Sequence, residues 1–135
     1  MRIVLDTNIL VRANVKAHGP AREALLRIIS GNHVLITSPF LLREVERALA
    51  YPRLQKLWRL SFPLWYGRSM RNTGILPVAN HGQDGRATIV TSGKADALCT
   101  LDSDFFEPGV VAFCRNRGIS ILTDVMLLQR LMQMP

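Results

Sequence analysis

The sequence predicts an α/β fold built on a central, mainly parallel sheet, and three observations predict it. Short apolar runs recur along the chain, segments with apolar residues at helical spacing lie between them, and two of the runs end in an aspartate. Strands covered on both faces read as continuous apolar runs, and helices joining them make neighbouring strands parallel.

The elements follow in order. Ile3 to Leu5 reads as a buried strand that stops at the polar edge Asp6, Thr7 and Asn8. Pro20, tolerated at a first helical position, opens a helix through Ser30, with Ala21, Ala24, Leu25, Ile28 and Ile29 as its apolar stripe, and Gly31 and Asn32 stop it. Val34 to Thr37 is a second strand. Ser38 and Pro39 then form an N-cap and first turn for a helix to about Ala50, with Leu41, Leu42, Val45, Ala48 and Leu49 facing inward. Asn72 to Arg86 contains Gly74, Pro77, Gly82 and Gly85 with little periodicity, which predicts an exposed loop. Ala97 to Leu101 and Ile119 to Leu122 are two further strands, the last followed by a Thr123-capped helix to about Met132. In open parallel sheets ligands sit at the carboxyl ends of strands, where Asp6 and Asp102 fall.

A chain of 135 residues, 48% of them apolar, suits one domain, residues 1–135, with a core large enough to need no disulfide or structural metal. The two cysteines, Cys99 and Cys114, sit among apolar residues and read as buried, reduced thiols. Asp6 interrupts the first apolar run too early for a signal peptide or a membrane span, so a cytoplasmic protein is expected. Lys and Arg number 17 against 10 Asp and Glu, a net charge of +7 that suits a polyanionic partner. From Arg47 to Gln83 there is no acid, while Arg47, Arg53, Lys56, Arg59, Arg68 and Arg71 are interleaved with Trp58, Phe62, Trp65 and Tyr66. Charge for phosphates and flat rings for unstacked bases suit single-stranded nucleic acid; a helix with a buried aromatic face is the competing reading.

The scarce acids carry the chemistry. Asp6 and Asp102 each follow an apolar strand, where a carboxylate is costly unless a positive group compensates it. Mg²⁺ is such a group, taking oxygen ligands from a few carboxylates together with waters and phosphate. On the helix after Ser38, Glu44 and Glu46 flank opposite edges of the apolar stripe, and projection alone does not choose between them. Asp102 and Asp104 lie two residues apart in one turn, where both can approach one ion or one can cap the next segment. His18, His33 and His81 show no metal-ligand spacing, and the chain has no phosphate-cradling glycine loop, dinucleotide fingerprint or nucleophile elbow. Asp6, Thr7, Asn8 lacks the second aspartate of an aspartyl-phosphate phosphatase.

These residues resemble a known family. Ile3 to Leu10, reading Ile-Val-Leu-Asp-Thr-Asn-Ile-Leu, is similar to the opening of PIN domains, the metal-dependent ribonuclease fold of many bacterial toxin-antitoxin pairs. Ser38 to Val45 resembles the helix with the family's second acid and selects Glu44. Tyr51 to Leu54 is similar to one subgroup of toxin components, Ala95 to Phe105 to the late strand and its acids, and Gly118 to Leu122 with the final helix to the usual ending. The likeness spans residues 1 to about 58 and about 93 to 135.

The resemblance implies a three-layer α/β/α sandwich and an endoribonuclease using Mg²⁺ or Mn²⁺. It implies Asp6, Glu44 and Asp102 as catalytic metal ligands, Asp104 as an auxiliary ligand, and Thr7, Asn8 and Thr100 as groups supporting them. With RNA as substrate, Arg43, Arg47, Arg53 and Lys56 are the expected contacts; a small antitoxin and a second copy of the chain are the expected protein partners. The departure lies in the middle. The family's remaining acid opens the helix before the late strand, and Asp84 is the candidate at that distance, in surroundings poorer in alanine and leucine than usual. Residues 72–88 resemble a translated palindromic genomic repeat, an atypical or inserted loop, and Asp96 stands where the family supports the loop before the strand. A degenerate PIN domain that binds RNA or protein without cutting is therefore the alternative; a 5′-nuclease relative ranks last, because the chain is too short for accessory arches.

Overall fold

Every second residue of the central strands points to the same side of a sheet, and the packing follows that alternation. The computed structural model describes residues 1–15, 18–58, 73–75, 90–91 and 93–134. Its elements are β1 (Arg2–Leu5), α1 (Thr7–Val15), α2 (Pro20–Ser30), β2 (Val34–Thr37), α3 (Pro39–Leu49), α4 (Pro52–Trp58), β3 (Thr73–Ile75), β4 (Ala97–Cys99), a 3₁₀ turn (Ser103–Phe106), α5 (Pro108–Arg115), β5 (Ser120–Leu122) and α6 (Asp124–Gln133). The strands form one sheet in the order β3-β2-β1-β4-β5, and every pairing is parallel.

Ile3, Leu5, Leu35, Ala97, Cys99 and Leu122 face one way and bury against α1, α2, α3 and α6, through Ile9, Leu10, Leu25, Ile28, Val45, Leu49, Leu127 and Leu131. Val4, Ile36 and Leu98 face the other way, against Leu41, Val90, Cys114 and Ile119. Apolar area leaves water on both faces, so the sheet is the middle of three layers, as the sequence predicts. From β1 the chain builds outward to β2 and β3, then returns to place β4 on the opposite side of β1. In open parallel sheets such a reversal marks the crevice where ligands bind, here outside the carboxyl ends of β1 and β4.

Local chemistry sets the boundaries. Ser38 is wholly buried and accepts a bond from the Leu41 amide, with Pro39 opening α3. Thr123 caps α6 through the Met126 amide. Four departures from the sequence reading are instructive. α1 begins directly at Thr7: the Asp6 carbonyl accepts the Ile9 and Leu10 amides as the first bonds of the helix and its side chain accepts the Thr7 amide, so the acid read as a site residue also starts a helix. Thr73–Ile75, read as loop, is a strand on the β2 edge; Gly74 hides it from any apolar pattern. β4 stops at Cys99, leaving Leu101 beyond the ladder and exposed, and the turn after Asp102 continues into α5. The rest of the 72–88 segment lies outside the described residues, as do Arg59, Phe62, Trp65, Tyr66, Arg68 and Arg71. No helix among the described residues is long and apolar enough to cross a membrane.

Candidate metal centre

Leu5 of β1, Cys99 of β4 and Leu122 of β5 stand level across the sheet, so Asp6, Thr100 and Thr123 are the next residues along each strand direction. The ladder extends one step into them: the Asp6 amide donates to the Cys99 carbonyl at 2.9 Å, and the Thr100 amide to the Leu122 carbonyl at 3.0 Å. Asp6 is 1% exposed. Its Oδ1 accepts the Thr7 amide at 2.8 Å and its Oδ2 accepts the Thr100 hydroxyl at 2.7 Å. The Thr100 oxygen in turn accepts the Asp102 amide at 3.1 Å. One buried hydroxyl thereby joins Asp6 to Asp102 across the crevice between β1 and β4.

A second hydroxyl brings in α3. Thr7 donates to Glu44 Oε2 at 2.8 Å, and Glu44 is half-buried while Glu46 is exposed. Glu44 is the acid directed to this edge. Asp102 is half-buried and accepts the Asp104 amide at 3.1 Å, capping the 3₁₀ turn. Asp104 contributes that amide, and the residue is exposed. Asn8 is half-buried next to Thr7, its Oδ1 enclosed without a hydrogen-bond partner. Arg43 and Arg47 are exposed on α3, one turn apart and on either side of Glu44 in sequence; Arg53 and Lys56 are exposed on α4, which packs on α3.

Asp96 belongs elsewhere. It is exposed, and its carboxylate accepts the Arg2 amide at 2.6 Å, at the start of β1 and so at the opposite edge of the sheet. Asp84 lies outside the described residues. Among the described residues no three His, Cys, Asp or Glu side chains come together closely enough to hold one ion. The observed unit is two threonine links to Asp6: the Thr100 hydroxyl joins its carboxylate to the backbone amide of Asp102, and Thr7 gives its amide to Asp6 and its hydroxyl to Glu44.

One residue at this edge escaped the sequence reading. Asp124, the first residue of α6 and 3% exposed, accepts the Val125 amide at 3.0 Å and lies 3.5 Å from Arg12 Nη2 of α1. The signal was present in kind: like Asp6, Asp124 follows closely on the carboxyl end of a strand. Its charge reaches the crevice. The Cys99 thiol is pushed up to about 12, first by burial and then by the negative charges of Asp124 and Asp6. Cys99 is thus an inert thiol, in keeping with its sequence reading.

With this geometry in view, the chain is similar in structure to a chain of the VapBC2 crystal structure from Rickettsia felis, solved bound to a DNA fragment from their promoter. The TM-score is 0.57 at 14% sequence identity, over 91% of this chain and 98% of that one. The two share a fold. At that identity the likeness concerns the path of the backbone, and it bears out the α/β architecture that the PIN resemblance implies. No protein-family model matches the chain, and no curated protein does.

Proposed function

We propose that the protein is a metal-dependent endoribonuclease, the toxin of a toxin-antitoxin pair. The observation that carries this reading is the hydroxyl-linked set Asp6, Thr100, Asp102, Thr7 and Glu44 in the crevice where the strand order reverses. Its donors are all hard oxygens, the chemistry that Mg²⁺ and Mn²⁺ prefer. A cage of three carboxylates is not required, since Mg²⁺ usually takes one or two carboxylates and completes its shell with waters and substrate phosphate. Asp6, Glu44 and Asp102 would hold the ion, with Asp104 and Asp84 as auxiliary acids. Such an ion supplies a water activated at neutral pH and stabilises the charge that builds on the cleaved phosphate.

The chain's own groups do the positioning. Thr100 has a single hydroxyl proton; donating it to Asp6 fixes that carboxylate, and accepting the Asp102 amide fixes the turn carrying the next acid. Thr7 does the same for Glu44, and Asn8 brings an enclosed carbonyl oxygen beside them. Arg43, Arg47, Arg53 and Lys56 are the contacts for the phosphates of single-stranded RNA, a role supported by their exposure on the two helices next to Glu44. The fold shared with a VapBC2 chain supports a small antitoxin as protein partner; a homodimer as assembly and the cytoplasm as setting are part of the proposal and rest on the PIN resemblance.

The purified protein is expected to cleave single-stranded RNA with Mg²⁺ or Mn²⁺, and to lose the activity with chelator and in Asp6→Asn. Cleavage that persists in the variant would overturn the reading. The non-cutting PIN-like module is kept as a second reading on one observation: among the described residues no three acids converge on one point. It expects RNA or protein binding without hydrolysis at any metal concentration.

A further inference from the structure

We infer that the recess between α1 and the start of α2 binds one backbone phosphate of single-stranded RNA beside the carboxylate crevice, an inference that rests on the RNA reading above. Arg12, His18, Gly19, Pro20, Ala21 and Arg22 line the recess. Two guanidinium groups and an imidazole face one concavity, in a chain of net charge +7. The arginines are already oriented. Arg22 Nη1 donates to the Ala13 carbonyl at 3.1 Å, and Arg12 Nη2 stands 3.5 Å from Asp124 Oδ2. Each keeps further donors, since a guanidinium carries five.

The floor of the recess suits an anion as well. No side chain caps α2, and Gly19 before it has a φ of 137° with nothing within 4 Å of where a Cβ would be. Backbone there is left uncovered, at the positive end of an eleven-residue helix. Two acids lie nearby. Glu23 in the first turn is engaged by Arg27 Nε at 3.1 Å, and Asp124 offsets part of the charge of Arg12. Leu5, Cys99 and Leu122 stand level across the sheet, and Asp124 comes just past Leu122 as Asp6 comes just past Leu5, so Arg12, 3.5 Å from Asp124, links this recess to the edge carrying the proposed metal ligands. RNA crossing the carboxylates would reach the recess with a neighbouring phosphate, which only the chain's charge and hydrogen bonding, not base identity, would select.

The test is binding of a fluorescent single-stranded RNA in EDTA, read by anisotropy over a salt series, with thermal melting to check each variant. Arg22→Gln and His18→Glu, the latter at an exposed position, are expected to weaken binding about three- to tenfold and to flatten the salt dependence by roughly 0.7 in log-log slope, the value of one phosphate contact. Asp124→Asn should instead tighten binding, because it removes the competing charge on Arg12. Inorganic phosphate should compete with RNA in the parent and less in Arg22→Gln. Folded variants that all bind RNA within twofold of the parent, with unchanged slope, would overturn the inference. Cleavage with Mg²⁺ distinguishes the two claims: an active enzyme indifferent to these substitutions loses the recess and keeps the nuclease, whereas altered binding without cleavage does the reverse.

Discussion

Thr100 is the residue on which the geometry of the crevice turns. Its buried hydroxyl joins the carboxylate of Asp6 to the amide of Asp102, and valine, nearly the same shape, offers neither the proton nor the lone pair. Thr100→Val is expected to cost about 1–3 kcal/mol in urea unfolding, because the carboxylate of Asp6 stays buried without its hydroxyl donor; Thr100→Ser should recover most of it. A valine variant as stable as the parent would show that the hydroxyl orders neither group. Cys99 gives a second check at this scale. With its pKa pushed up to about 12, it should resist thiol reagents at mildly alkaline pH until the protein unfolds. Sequence alone made Asp6 and Asp102 legible because an acid straight after an apolar strand has few bland explanations. It could not separate Glu44 from Glu46, since both edge the α3 stripe and what separates them is Thr7, distant in sequence and close in space. Asp124 was hidden the same way, its partner Arg12 lying on a helix near the other end of the chain.

At the scale of elements, α3 brings Glu44 to the crevice, and its start is fixed by Ser38. Removing that cap in Ser38→Ala should destabilise the protein by about 1 kcal/mol, measured by thermal or urea unfolding. The turn from α2 into β2 carries a pH response. Burial, and then the charge of the N-terminal ammonium, hold His33 below its ordinary value of 6.5. The unfolded chain then binds the proton more readily, so stability is retained above about pH 6.5 and falls as acidification carries the turn from that value through the lowered one. His33→Gln should flatten that part of a stability-against-pH curve; an unchanged curve would place the response elsewhere. Elements with chemical punctuation were legible: α2 between Pro20 and Gly31, α3 behind Ser38 and Pro39, α6 behind Thr123. α1 and β3 were not. One follows its strand with no loop between, started by Asp6, a residue read as a site acid, and the other is three residues around a glycine that gains strand character only by pairing with β2.

For the whole molecule, the ten acids and seventeen bases divide by place. Asp6, Glu44, Asp102 and Asp124 gather at the carboxyl edge of the sheet, while Arg43, Arg47, Arg53 and Lys56 stand exposed on α3 and α4. If those four bases meet phosphates, RNA affinity should fall with salt, and replacing Arg43 and Arg47 together with glutamine should lower the log-log slope by roughly 1.4, about 0.7 for each contact. An unchanged slope would move the RNA path off these helices. All of this depends on the carboxyl edge holding a divalent ion, and calorimetric titration of Mn²⁺ into the parent protein, Asp6→Asn and Asp102→Asn tests it most directly. Saturable binding in the parent, lost or weakened at least tenfold in both folded variants, is the predicted result; no binding at millimolar Mn²⁺, or equal binding in all three, would contradict it.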